Sequence, residues 1–90
     1  MTINYMISMG EGGSINADRV IAVASMASAP VKRFVDNTPP DKLLNLTYGY
    51  PRRSIVVFDN GFVAITRYPV EELDFAIRTK TEVNHDGLPF

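Results

Sequence analysis

Arg52 and Arg53 follow directly on Tyr48-Gly49-Tyr50-Pro51, a run whose glycine and proline make a turn. Adjacent residues entering a strand point to opposite faces, so the two arginines cannot both be buried. The planar guanidinium fork suits phosphate oxygens and the O6/N7 edge of guanine. Tyr48 and Tyr50 beside it can stack on a nucleic acid or hydrogen-bond to its backbone. As plain surface chemistry, two solvated arginines instead blunt a sheet edge against aggregation. The residue types alone fit both roles, and the plainer one is the commoner.

Other chemistry is scarce. His85 is the only imidazole and there is no cysteine, which excludes disulfides, thiolate metal sites and histidine clusters. His85 lies between Asn84 and Asp86, close to Gly87 and Pro89, and reads as a solvated tail residue. Glu71, Glu72 and Asp74 could suggest a divalent cation. Placed just after Pro69 at a helix start, they complement the macrodipole instead, by about 0.3–1 kcal/mol each. Gly10-x-Gly12-Gly13 lacks the later glycine of a dinucleotide fingerprint and the Lys-Ser/Thr of a P-loop, so it reads as a turn. No nucleophile, base and orienting group converge. The sequence therefore predicts no catalytic residue, no metal site, no cofactor and no small-molecule substrate.

The elements that position these residues follow from periodicity. Thr2–Met9 alternates, with Ile3, Tyr5, Ile7 and Met9 on one face, which predicts a strand. Arg19–Ala24 is a short apolar run read as a buried strand. Ser28 and Pro30 predict a helix start, with Val31, Phe34 and Val35 on the buried face and Lys32, Arg33 and Asp36 outside. Pro39-Pro40 ends that helix. A further helical turn is expected at 41–44 and a short strand at 46–48. Arg53–Asp59 and Phe62–Arg67 are the clearest strands, joined at Asn60-Gly61, a strong hairpin signal. After Pro69, the apolar positions Val70, Leu73, Phe75, Ala76 and Ile77 predict a second helix ending near 79–80. The expected fold is α+β, a small and mostly antiparallel sheet of about five strands with two helices.

The net charge is −1, and it is unevenly spread. Residues 1–70 carry seven basic and five acidic side chains, giving +2, whereas residues 71–90 carry two and five, giving −3. A domain at 1–80 followed by an acidic tail at 81–90 is the expected organisation. Val20–Val31 is the longest uncharged and mostly apolar run, and at twelve residues it is too short to span a bilayer. Residues 1–10 have neither the basic start nor the apolar stretch of a secretion signal. A cytoplasmic location is expected. A chain of 90 residues without disulfides or metal buries a modest core, which favours self-association.

Three segments, read in order, carry a resemblance. They are Asn16-Ala17-Asp18-Arg19-Val20-Ile21-Ala22-Val23, Ser28-Ala29-Pro30-Val31-Lys32-Arg33, and Thr47-Tyr48-Gly49 followed after four residues by Ser54-Ile55-Val56-Val57-Phe58-Asp59. Together they resemble the RemA family of bacterial regulators of extracellular-matrix (biofilm) genes. The resemblance runs from about Ile3 to Leu73.

It implies a small fold related to LytTR-type DNA-binding domains, a ring-like homo-oligomer, and transcription regulation through double-stranded DNA. The matching positions are Arg19, Lys32, Arg33 and Arg53, with Pro30 as a structural match. The two positions that the family fills with arginine after Tyr48-Gly49 are Tyr50 and Pro51 here, and Arg52 takes a position usually held by threonine. Arg19, Lys32, Arg33, Tyr50, Arg52 and Arg53 are thus the expected DNA-contacting set. A non-DNA oligomeric scaffold or protein-interaction module is the alternative, favoured by the near-neutral charge and the two displaced arginines.

Overall fold

The computed structural model describes residues 6–10 and 13–79. Ile3, Tyr5, Gly12, Lys80, His85 and the acidic tail lie outside the described residues. The fold is α+β, with strands β1 (Met6–Ser8), β2 (Ser14–Asn16), β3 (Val20–Ser25), β4 (Leu43–Asn45), β5 (Ser54–Phe58) and β6 (Val63–Thr66). Helices α1 (Ala29–Asp36) and α2 (Val70–Thr79) complete it. The strands form two sheets, a β1-β2 hairpin and a four-stranded sheet of order β3-β5-β6-β4. Every pairing is antiparallel except β4 with β6.

The central pair β5 and β6 reads as nearly unbroken hydrophobic sequence because both of its faces are covered. On one face, Ile55, Val63 and Ile65 pack with Val35 and half-buried Val31 of α1. On the other, Val56, Phe58 and Ala64 pack with Ile7, Met9 and Ile15 of the hairpin region and with Leu73 and Ala76 of α2. Burying each large aliphatic side chain contributes on the order of 1.5–3 kcal/mol. The β5–β6 turn forms at Asn60-Gly61 as expected, closed by the Phe58 N–H donating to the Phe62 carbonyl at 2.9 Å.

Four local expectations are corrected. The 19–24 run is not buried: among the described residues β3 is an edge strand whose only sheet neighbour is β5, and Ile21 is 67% exposed at the register shift between Val20 and Ala22. Phe34 is exposed, because α1 has only two turns and its Val31–Val35 stripe already fills the strip of sheet beneath it. The strand expected at 46–48 forms instead as β4, drawn into register with Val63–Ile65 of β6, and the helical turn before it is confined to Pro40–Lys42. Ser14–Asn16, for which the sequence carries no strand signal, pairs with β1, since three residues are too few to show a period. Among the described residues, no helix is long and apolar enough to cross a membrane.

Candidate nucleic-acid interface

The eight basic residues among those described fall into two groups. Four are engaged within the fold. Arg19 donates to Asp59 at 3.3 Å, and Arg78 donates to Asp74 at 2.8 Å across one helical turn. That hydrogen bond, with the charge of Asp74 behind it, pushes the Arg78 guanidinium further above its ordinary range. The Lys42 ammonium sits 4.6 Å from the Phe62 ring centroid. Arg67 lies between the Tyr50 and Tyr68 rings, at 4.3 and 5.3 Å.

The other four are Lys32, Arg33, Arg52 and Arg53, all exposed. Among the described residues, no ion pair or side-chain hydrogen bond engages them. They are the Lys-Arg of the Ser-Ala-Pro-Val-Lys-Arg segment and the arginine pair after the tyrosine turn.

Three of these four line one open groove of about 710 Å³. Its walls come from three places in the chain: Ser25, Met26 and Ala27 with Lys32 near the start of α1, Arg52 and Arg53 leading into β5, and Pro69, Val70 and Glu71 opening α2. The Arg53 backbone is held from both sides. Its N–H donates to the Thr66 carbonyl at 2.9 Å, and its carbonyl accepts from the Met26 N–H at 3.0 Å. This extends the sheet ladder one residue beyond β5, so the guanidinium projects from rigid backbone. Beneath it, buried Ser54 and Thr66 form a closed polar circuit. The Tyr68 N–H donates to Thr66 Oγ1 at 3.3 Å, the two hydroxyls meet at 2.6 Å, and Ser54 Oγ donates to the Tyr68 carbonyl at 2.7 Å. Each hydroxyl then donates once and accepts once.

The turn that delivers the arginines is pinned as well. Asn45 Oδ1 accepts from both the N–H and the hydroxyl of Thr47, at 3.0 and 2.7 Å. Tyr48 and Gly49 follow with φ of 53° and 85°, and the Tyr50 N–H closes the turn onto the Thr47 carbonyl at 3.1 Å. A left-handed tyrosine is strained, on the order of 1–3 kcal/mol, and such strain tends to sit in functional loops. Chemically, the groove offers one ammonium and two guanidinium groups to an oxyanion, without carboxylates already bound to them.

Of the expected site residues, Lys32, Arg52 and Arg53 are therefore brought together. Arg33 is exposed on α1 beside Lys32 but does not line the groove. Tyr50 lies over Arg67. Arg19 is at the other end of the sheet, since Val20 pairs with Phe58 while Ser25 pairs with Ser54. The six residue steps from Arg53 to Asp59, which bonds to Arg19, put it roughly 20 Å away along the strand. Arg67 is the residue that the sequence reading missed: it follows β6 and is buried at 6% exposure, and no periodicity marks a buried arginine.

The chain matches the family described as RemA-like, extracellular matrix regulatory protein A-like, over residues 6–75. It belongs to the RemA-like family. It is also similar to proteins named "Putative regulatory protein" from Bacillus. The one from Bacillus cereus (strain AH187) is 33% identical over 82 residues, covering 90% of this chain and 94% of the relative. Those from Bacillus cytotoxicus and Bacillus mycoides are 32% identical over the same length and coverage. The matched region takes in both halves of the groove, from the Ser25–Lys32 wall to the start of α2.

Proposed function

We propose that this RemA-like chain is a DNA-binding transcriptional regulator, not an enzyme, and that it grips duplex DNA through Lys32, Arg52 and Arg53, with Arg33 alongside. One observation carries the reading. Among the described residues, the basic side chains not engaged within the fold are the Lys-Arg of the Ser-Ala-Pro-Val-Lys-Arg segment and the arginine pair after the tyrosine turn, and three of them meet in one groove. The family description and the names of the relatives support a regulatory role. Because the net charge is only −1, affinity has to come from local charge and from several protomers acting at once. Each phosphate neutralised by a cation adds about 0.9 to the slope of log affinity against log salt. A gel-shift titration is expected to show retention of duplex that falls steeply with salt and is weakened in Arg53→Ala. Binding that ignores salt, or that Arg53→Ala leaves unchanged, overturns the reading.

Self-association belongs to the same proposal. Among the described residues, strands β3 and β4 are the two open edges of the four-stranded sheet, and each carries exposed apolar surface: Ile21, and Leu44 at 41% exposure. Unpaired edges of this kind recruit other strands. Since the two edges differ, contact between them is head-to-tail, and such contacts close into rings when the rotation permits. Light scattering is expected to report an oligomer that Ile21→Lys reduces to protomers; a folded wild-type monomer at micromolar concentration refutes this part. The same apolar edges favour a second reading, a scaffold that assembles without DNA. A stable assembly that fails to retain random-sequence duplex at low salt would select it.

A further inference from the structure

The groove contains more than cations. Its apolar floor is Met26, Pro69 and Val70, and exposed Glu71 lines the groove as well. A duplex is a broad rod, anionic along its whole length, so it meets cations at a rim and leaves an apolar floor unfilled. It also gains nothing from a carboxylate there. The volume, about 710 Å³, is that of a small-molecule pocket, which usually combines an apolar lining with a few placed polar groups. The walls are prearranged. Arg53 is locked into the sheet ladder on both sides, and Ser25 Oγ accepts from the Ala27 N–H at 3.1 Å, fixing the turn that carries Met26. Little ordering is then left to oppose binding.

We propose that the groove is also a binding site for a free nucleotide. Its phosphates lie on Lys32, Arg52 and Arg53, and its base lies flat on Met26, Pro69 and Val70. Methionine suits that floor because its polarizable thioether packs well against a ring. Glu71 accepts a hydrogen bond from a ribose hydroxyl or an exocyclic amine and repels phosphate from its own end, which fixes the ligand's direction. The nucleotide and the duplex draw on the same three cations, so the nucleotide displaces DNA. Only this displacement rests on the DNA-binding reading; the site itself does not.

Isothermal titration of the full chain without divalent metal tests the site, using ATP, inorganic tripolyphosphate and adenosine. ATP is expected to bind about tenfold more tightly than tripolyphosphate, the equivalent of one well-buried apolar contact. Val70→Gln is expected to remove most of that advantage while leaving the tripolyphosphate affinity within about twofold, whereas Arg53→Ala weakens both ligands. ATP should also release fluorescently labelled duplex. In Val70→Gln the duplex affinity stays at the wild-type level, and its release needs about tenfold more ATP. Tripolyphosphate binding as tightly as ATP overturns the proposal, because the floor then receives no base. A chain that retains duplex but does not bind ATP also overturns it and leaves DNA binding standing. ATP binding without any retention of duplex upholds the site and overturns the DNA reading instead.

Discussion

The Arg67 guanidinium lies 4.3 Å from the centroid of the Tyr50 ring, and the two residues join the end of β6 to the turn that carries Arg52 and Arg53. Arg67 is buried and also donates from Nη2 to the Tyr68 hydroxyl at 3.2 Å. The loop thus rests an aromatic ring on a buried charge. A cation over an aromatic face contributes about 0.5–2 kcal/mol, more as water is excluded. A double-mutant cycle of Arg67→Met and Tyr50→Leu, followed by urea unfolding, should give a coupling energy in that range. Coupling near zero would mean that the stacked geometry contributes nothing to stability.

Gly10 sits against the same guanidinium. Its φ is 76°, and a Cβ built there would collide with Arg67 Nη2 and come within 3.1 Å of the Tyr68 hydroxyl. The end of an arginine is ordinarily easy to displace; this one is held between two rings. Gly10→Ala is therefore expected to cost about 1–2 kcal/mol for the left-handed backbone, and more for the displaced guanidinium. Combined with Arg67→Met, which removes the colliding atoms, the two effects should be less than additive in denaturant melts. Full additivity would separate the glycine from the arginine.

How much of this was legible in the sequence depended on whether a signal was local. The Asn60-Gly61 hairpin, both helices and the alternation of Ile7 and Met9 could be read because turn chemistry and periodicity lie within a few residues. The Arg19–Ala24 run reads as buried because small apolar side chains look alike in an edge strand and a central one, and only the strand order separates them. β4 was displaced by three residues because its parallel pairing with β6 is a contact across the fold, with no local trace. The site divided in the same way. Lys32, Arg33, Arg52 and Arg53 stood out by type and motif. The separation of Arg19 from them, the apolar floor of Met26, Pro69 and Val70, and the burial of Arg67 all required the register of β3, β5 and β6.

The Ser54–Thr66–Tyr68 circuit makes a sharp prediction about stability. Ser54 and Thr66 are fully buried and face each other across β5 and β6 directly under the Arg53 backbone. Thr66→Val keeps the shape but leaves the Tyr68 N–H without its acceptor and breaks the hydroxyl contact. An orphaned buried polar group costs about 1–3 kcal/mol. Ser54→Ala removes the 2.7 Å donor to the Tyr68 carbonyl and leaves it the longer 3.5 Å contact from Thr66 Oγ1, at a similar cost. The double substitution should cost less than the sum, because each single change already opens the same ring. Equilibrium unfolding by urea measures all three, and additive losses would show two independent hydrogen bonds rather than a circuit.

The placement of the basic residues separates two variants that sequence motifs alone treat as equivalent. Arg19 and Arg53 are both motif positions, yet Arg19 pairs with Asp59 at the far end of β5, while Arg53 projects into the groove without an ion pair among the described residues. If duplex DNA is gripped at the groove, Arg53→Ala removes one neutralised phosphate per protomer engaged and lowers the salt slope by about 0.9 for each. Arg19→Ala should leave the slope unchanged, since that guanidinium is occupied and faces another part of the surface. The pair of slopes, measured by fluorescence anisotropy over a range of salt on one duplex, decides the matter. Equal losses from the two variants would move the DNA surface away from the groove and along the whole of the β3 edge.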